Sequence, residues 1–101
     1  MADEPQLPTE DELRHALNKV GVQDILVNAL SAAASIGFHR VSVEARDLEQ
    51  VRLAIESLRA LDPVLREAGV DDAILRDLEQ ARTNLQLAYA KAVCEEPRAA
   101  E

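Results

Sequence analysis

The sequence predicts an all-α protein, an antiparallel helical bundle of about four helices with a long helical hairpin. Three observations carry this. The chain of 101 residues is 48% hydrophobic but only 2% aromatic, so a core must come from Leu, Ile, Val and Ala, which suits packed helices better than sheets. Three Gly and four Pro leave long stretches without a breaker. Within those stretches apolar residues recur three and four positions apart, the period of a helix with one face on a core. The length is that of one small domain, with little core to spare.

Residues 1–8, with Pro5 and Pro8 among acids, read as a disordered acidic tail that has no apolar face to bury. The folded domain is expected over residues 9–94, followed by a second disordered tail over 95–101. Thr9 with Glu12 three positions on is a capping box, and Gly21 a stop, which sets a short first helix from Glu10 to Val20. The second helix, from Asp24 to Gly37, is apolar around most of its surface. Only Asp24, Asn28, Ser31 and Ser35 form a polar stripe at the helical angle of about 100° per residue.

A third helix is expected from Ser42, with its seam at Leu48, Val51, Ile55, Leu58, Leu61 and Leu65. Asp62 before Pro63 reads as a cap with Pro at the first helical position, so this helix either kinks or restarts there before Gly69. Asp71 or Asp72 caps the fourth helix, whose seam is Ile74, Leu78, Ala81, Leu85, Ala88 and Ala92. Its order should fade near Glu95, before Pro97.

The string RDLEQ occurs twice, at Arg46 to Gln50 and at Arg76 to Gln80. In each copy the leucine is a seam position and the charges lie opposite. Glu49 with Arg52, and Glu79 with Arg82, are spaced for i,i+3 ion pairs that add a few tenths of a kcal/mol. Two antiparallel helices sharing a packing pattern account for the repeat; an old duplication is the alternative, and neither implies chemistry.

The segments LEQVRLAIESLRAL (Leu48 to Leu61) and LRDLEQARTNLQLAYAKAV (Leu75 to Val93) resemble the short all-helical bacterial domain of unknown function numbered eighteen forty-four. Its members pair a helix of the form L-x-x-A-x-x-x-I-D-x-L-x-x-L with a last helix ending in L-R-x-x-Y. Upstream they carry a small-residue helix ending in Leu-Gly, a place taken here by ILVNALSAAASIGF. The resemblance spans roughly residues 25–93, with Tyr89 its most distinctive match. The family's Ala is Val51 here, its Ile-Asp pair is Ile55 and Glu56, and its arginine of the last helix is Gln86. The resemblance implies a helical fold and no catalytic motif, and it assigns no functional residue.

The formal net charge of −8 sits mostly at the ends. Residues 1–12 carry five acids and no base, residues 95–101 three acids and Arg98, and the rest eleven acids against ten bases. No basic face is concentrated anywhere, so nucleic acid is not an expected partner. The apolar run from Ile25 to Phe38 spans 14 residues, short of the ~20 a membrane helix needs. A lone Cys94 excludes an internal disulfide and suits a reducing cytoplasm. Nine Arg against two Lys, with abundant Ala, suit a GC-rich bacterial source.

Few residues could carry chemistry. His15, with Leu17 and Lys19, resembles the H-x-L-K-G motif of histidine phosphotransfer domains, but Lys19 lies four rather than three residues on and Gly21 is displaced by two. A phosphotransfer signalling role at His15 is therefore the alternative function. His39 is expected at a helix C-terminus, where an imidazolium meets the dipole favourably. The two histidines lack the spacing of helical metal sites. Ser31 and Ser35 have no histidine partner and read as small residues that permit close packing. Cys94 lies beside Glu95 and Glu96, which disfavour its thiolate. Gly21, Gly37 and Gly69 are isolated stops rather than a phosphate loop. Tyr89 is expected at the core edge.

The expected function is accordingly a non-catalytic helical interaction or structural module in a bacterial cytoplasm, with no catalytic residue, metal or cofactor. Homo-oligomerisation is expected through the second helix, where Ala29, Ala33 and Gly37 recur every four residues and allow two backbones to approach closely. The opposing arrangement has all four helices of one chain wrap this one. An adaptor whose acidic tails recruit a basic partner is a third reading.

Overall fold

The structure, a computed structural model, describes residues 7–95. The expected tails over 1–8 and 95–101 lie largely outside the described residues; Leu7 and Pro8 are exposed and without regular structure, and Glu95 ends a helix. Four helices follow one another, α1 (Glu10–Lys19), α2 (Val22–Arg40), α3 (Leu48–Glu67) and α4 (Asp72–Glu95). The described residues contain no strand, so the all-α expectation holds.

Helices α2, α3 and α4 pack on one another. Val51 of α3, Leu65 of α3 and Leu85 of α4 are fully buried at the centre, with Leu30 and Ala34 of α2 and Ile55, Leu58 and Leu75 around them. Helix α3 runs antiparallel to α4. Arg66 near its end lies 3.8 Å from Glu79, and Arg46, just before its start, lies 3.5 Å from Glu95 at the other end of α4. Gly37 is the crossing point of α2. A Cβ there would stand 3.1 Å from the Ala54 Cβ and 3.2 Å from a Leu85 methyl, so the absent side chain is what lets α2 approach both neighbours.

The caps explain most boundaries. In α1 the Glu12 N–H donates to Thr9 Oγ1 at 3.1 Å, and the Thr9 N–H to Glu12 Oε1 at 2.9 Å, the reciprocal pair expected of the capping box. Helix α3 ends in a Schellman motif. Gly69 takes φ 82°, its N–H donates to the Arg66 carbonyl, and the Val70 N–H donates to the Leu65 carbonyl at 3.2 Å. Val70 then packs on the core, the apolar contact that accompanies such a turn.

Several expectations are corrected. Helix α3 starts at Leu48, with Asp47 as its N-cap, not at Ser42. Ser42 instead closes the end of α2, its Oγ–H donating to the His39 carbonyl at 2.7 Å. The α2–α3 connection is held by the Arg46 guanidinium, which donates to the Val41 carbonyl at 2.9 Å, and by the Asp47 N–H on the Arg40 carbonyl at 2.8 Å. Helix α3 does not restart at Pro63, which lies inside it. Pro63 and Arg59, whose carbonyl loses its helical donor, are both exposed, so water can satisfy that oxygen. Asp62 is not a cap; it accepts from Arg66 Nε at 2.8 Å.

Gly37 lies inside α2, which runs three residues further than expected. The seam of α4 departs from expectation only at its start, Leu78, Ala81, Leu85, Ala88 and Ala92 being buried or half-buried as expected. Leu75 is buried, whereas Ile74 is exposed. The two RDLEQ copies differ in structure: in the first the helix begins only at Leu48, while the second lies wholly within α4. Among the described ion pairs neither Glu49 with Arg52 nor Glu79 with Arg82 appears; Glu79 faces Arg66 across the hairpin.

Candidate functional site

Helix α1 makes no packing contact with α2, α3 or α4. Its apolar residues Leu13 and Leu17 share one face at helical spacing and are exposed, as is Val20 at its C-cap. The chain turns by 78° between α1 and α2. Among the described residues no single helix is long and apolar enough to cross a membrane, and the α1–α2 pair reaches the length only across that bend.

His15 sits on α1 and is exposed. On this helix its surface neighbours are Asp11 and Lys19, one turn away on either side, and no other helix packs against it. His39 is exposed in the last turn of α2, as expected, and Arg40 accompanies it. Cys94 is exposed in the last turn of α4. Among the described residues no group of three His, Cys, Asp or Glu could hold a metal ion, and no polar side chain is buried.

A cleft of about 440 Å³ opens between the start of α2 and the α3–α4 turn, lined by Gln23, Asp24, Val27, Asn28, Val70 and Asp71 among others. Its volume would admit a small molecule. It brings together two acids and two amides, and no serine, cysteine, histidine or lysine lines it. The hydrogen bond of Arg66 to Asp62, reinforced by the charges of Asp62, Glu79 and Asp72, raises its pKa above the ordinary arginine range. Already a cation at any working pH, Arg66 serves as a tie within the hairpin.

The surface of α2 divides into three sectors. Leu30, Ala34 and Gly37 are buried inward, and Asp24, Asn28, Ser31 and Ser35 form the exposed polar stripe the sequence predicts. Being exposed, Ser31 and Ser35 make no close helix contact. The third sector is apolar and open: Val22, Ile25 and Ile36 are 71%, 57% and 52% exposed, with Ala29 and Ala32 exposed between them. Beside Ile36 a groove of about 180 Å³ runs to α3, lined by Ala33, Leu53, Ala54 and Ser57 among others, and Leu53 is 60% exposed.

The three residues expected to form a self-association face therefore do not share one surface. Ala29 is exposed, Ala33 half-buried at the groove, and Gly37 buried within the chain. Sequence reasoning missed Val22, Ile25, Ala32 and Ile36. Their signal was present in the alternating three- and four-residue spacing of positions 22, 25, 29, 32 and 36, a second seam hidden because α2 is apolar on its other side as well.

Comparison with protein-family profiles, with curated proteins and with solved structures gives no match for this chain.

Proposed function

We propose that this chain is a non-catalytic helical interaction module that associates with itself, working in a bacterial cytoplasm. The observation that carries the proposal is the open apolar sector of α2, continued by Leu53 of α3. Contiguous apolar surface on a small domain marks a place where another molecule sits. The polar groups support the same reading. Among the described residues no serine, histidine or cysteine side chain is buried. The bacterial setting rests on the Arg and Ala bias and the cytoplasmic one on the lone Cys94. Kinship with the all-helical domain family of unknown function belongs to the same proposal, and the order of a small-residue helix followed by a helical hairpin supports it.

Sedimentation equilibrium on the full chain tests the reading. The expected result is a mass above the monomer's 11.1 kDa in the micromolar range. A single monomeric species up to millimolar concentration would remove the self-association. Acid-labile phosphate on the wild type, lost in His15→Ala, would establish phosphotransfer in place of the non-catalytic role.

A further inference from the structure

We infer that the open face of α2 pairs antiparallel with the same face of a second copy, setting Ile25 against the partner's Ile36 and Ala29 against the partner's Ala32. The inference rests on the self-association just proposed and adds the surface, the direction and the register.

The stripe itself selects the occupant. Ile25, Ala29, Ala32 and Ile36 read the same in both directions, in residue type and in their spacing of four, three and four. A two-fold axis facing the midpoint of that stripe maps it onto itself reversed, so each position meets an apolar partner, as a self-complementary contact requires. Sliding the copies by one step leaves an isoleucine of each without a partner. No charged side chain lies on the stripe.

Side-chain size fits a crossing. Two packed helices are closest where they cross and diverge towards their ends. Ala29 and Ala32 stand at the middle, where backbones must approach, and the isoleucines at the ends, where a widening gap needs filling.

Charge selects the direction. Helix α2 is acidic in its first turn, at Asp24, and basic in its last, at His39 and Arg40. An antiparallel pair sets unlike ends together and opposes the two helix dipoles, whereas a parallel pair sets like against like.

The area is sufficient for a modest dimer. At their observed exposures Val22, Ile25, Ile36 and Leu53, with the two alanines, offer roughly 400 Å² of apolar surface per copy. With a polar rim the total from both copies reaches the ~1,000 Å² at which specific interfaces begin. The affinity expected is micromolar.

Sedimentation equilibrium on full-length variants tests the register, with circular dichroism to confirm folding. Ala29→Glu and Ala32→Lys each alter an exposed residue, so both should fold, and each alone should raise the dimer dissociation constant at least tenfold. Mixed in equal amounts the two variants should dimerise again, because the antiparallel register sets the introduced acid against the introduced base, and a parallel register does not. Ile25→Gln, also at an exposed site, should weaken the dimer in the same way and guards against a folding failure in either charge variant. A dimer untouched by Ala29→Glu and Ile25→Gln would place the interface elsewhere and leave self-association standing. Weakened single variants that stay apart on mixing would overturn the antiparallel register, and a monomeric wild type would remove both proposals.

Discussion

Gly37 and Leu85 should be energetically coupled, and the coupling measures how α2 is seated. In Gly37→Ala the new Cβ meets the Ala54 Cβ at 3.1 Å and the two Leu85 methyls at 3.2 and 3.3 Å. Crowding of that kind costs about 1–3 kcal/mol, offset by about 1 kcal/mol of helix propensity gained over glycine. The net is a loss of about 1 kcal/mol. Leu85→Val removes both crowding methyls and by itself costs about 1 kcal/mol as a one-methylene truncation in a filled core. With both changes, only the Ala54 contact remains, and it can relax into the space vacated. The double variant should therefore lose about 0.5–1 kcal/mol less than the two single losses added. Urea unfolding followed by far-ultraviolet circular dichroism on all four proteins gives the cycle. Additivity within about 0.3 kcal/mol, or a stabilising Gly37→Ala, would refute the claim that glycine is required at this crossing.

Two further substitutions separate local from tertiary effects. Gly69→Ala places a Cβ in open space but on a backbone at φ 82°, so thermal unfolding should show a loss of about 1 kcal/mol with no change in the hydrogen-exchange pattern of the core. Thr9→Ala removes the cap of α1, a helix short enough to be marginal alone. Circular dichroism should show lost helicity at low protein concentration while the melting midpoint of α2, α3 and α4 moves by less than a degree or two; a larger drop would mean that α1 packs on them.

What the sequence disclosed depended on whether a boundary is written locally. The start of α1 and the end of α3 are set by side chains and a glycine within a few residues, and both were legible from Thr9, Glu12 and Gly69. The start of α3 was not. Residues 42–47 contain no Gly or Pro, and their turn is fixed by the Arg46 guanidinium and the Asp47 amide reaching back to the end of α2. Ser42, expected to open the helix, has its hydroxyl engaged with the His39 carbonyl instead.

Phase errors have a similar origin. Ile74 and Leu75 are adjacent apolar residues, and either fits a seam with Leu78 and Leu85 until the tilt of α4 chooses one. Arg82 and Tyr89 are half-buried alongside Ala81 and Ala88, so the buried face is wider than the seam the sequence marks. On α2 the small-residue spacing of Ala29, Ala33 and Gly37 meets the open seam only at Ala29 and runs from there into the core. Which of two apolar faces a helix buries depends on the neighbours that arrive, and Gly37 settles it by admitting Ala54 and Leu85.

The most direct test of the open α2 face as an interface is a dilution series of amide nuclear magnetic resonance spectra on the isotope-labelled full chain. On dilution from millimolar to low micromolar concentration, the account predicts shifts at Val22, Ile25, Ala29, Ala32 and Ile36, with Leu53 the adjoining site on α3, while the amides of the core residues Leu65, Leu75 and Leu85 stay fixed. Shifts confined to the exposed faces of α3 and α4, with the α2 stripe unmoved, would contradict it.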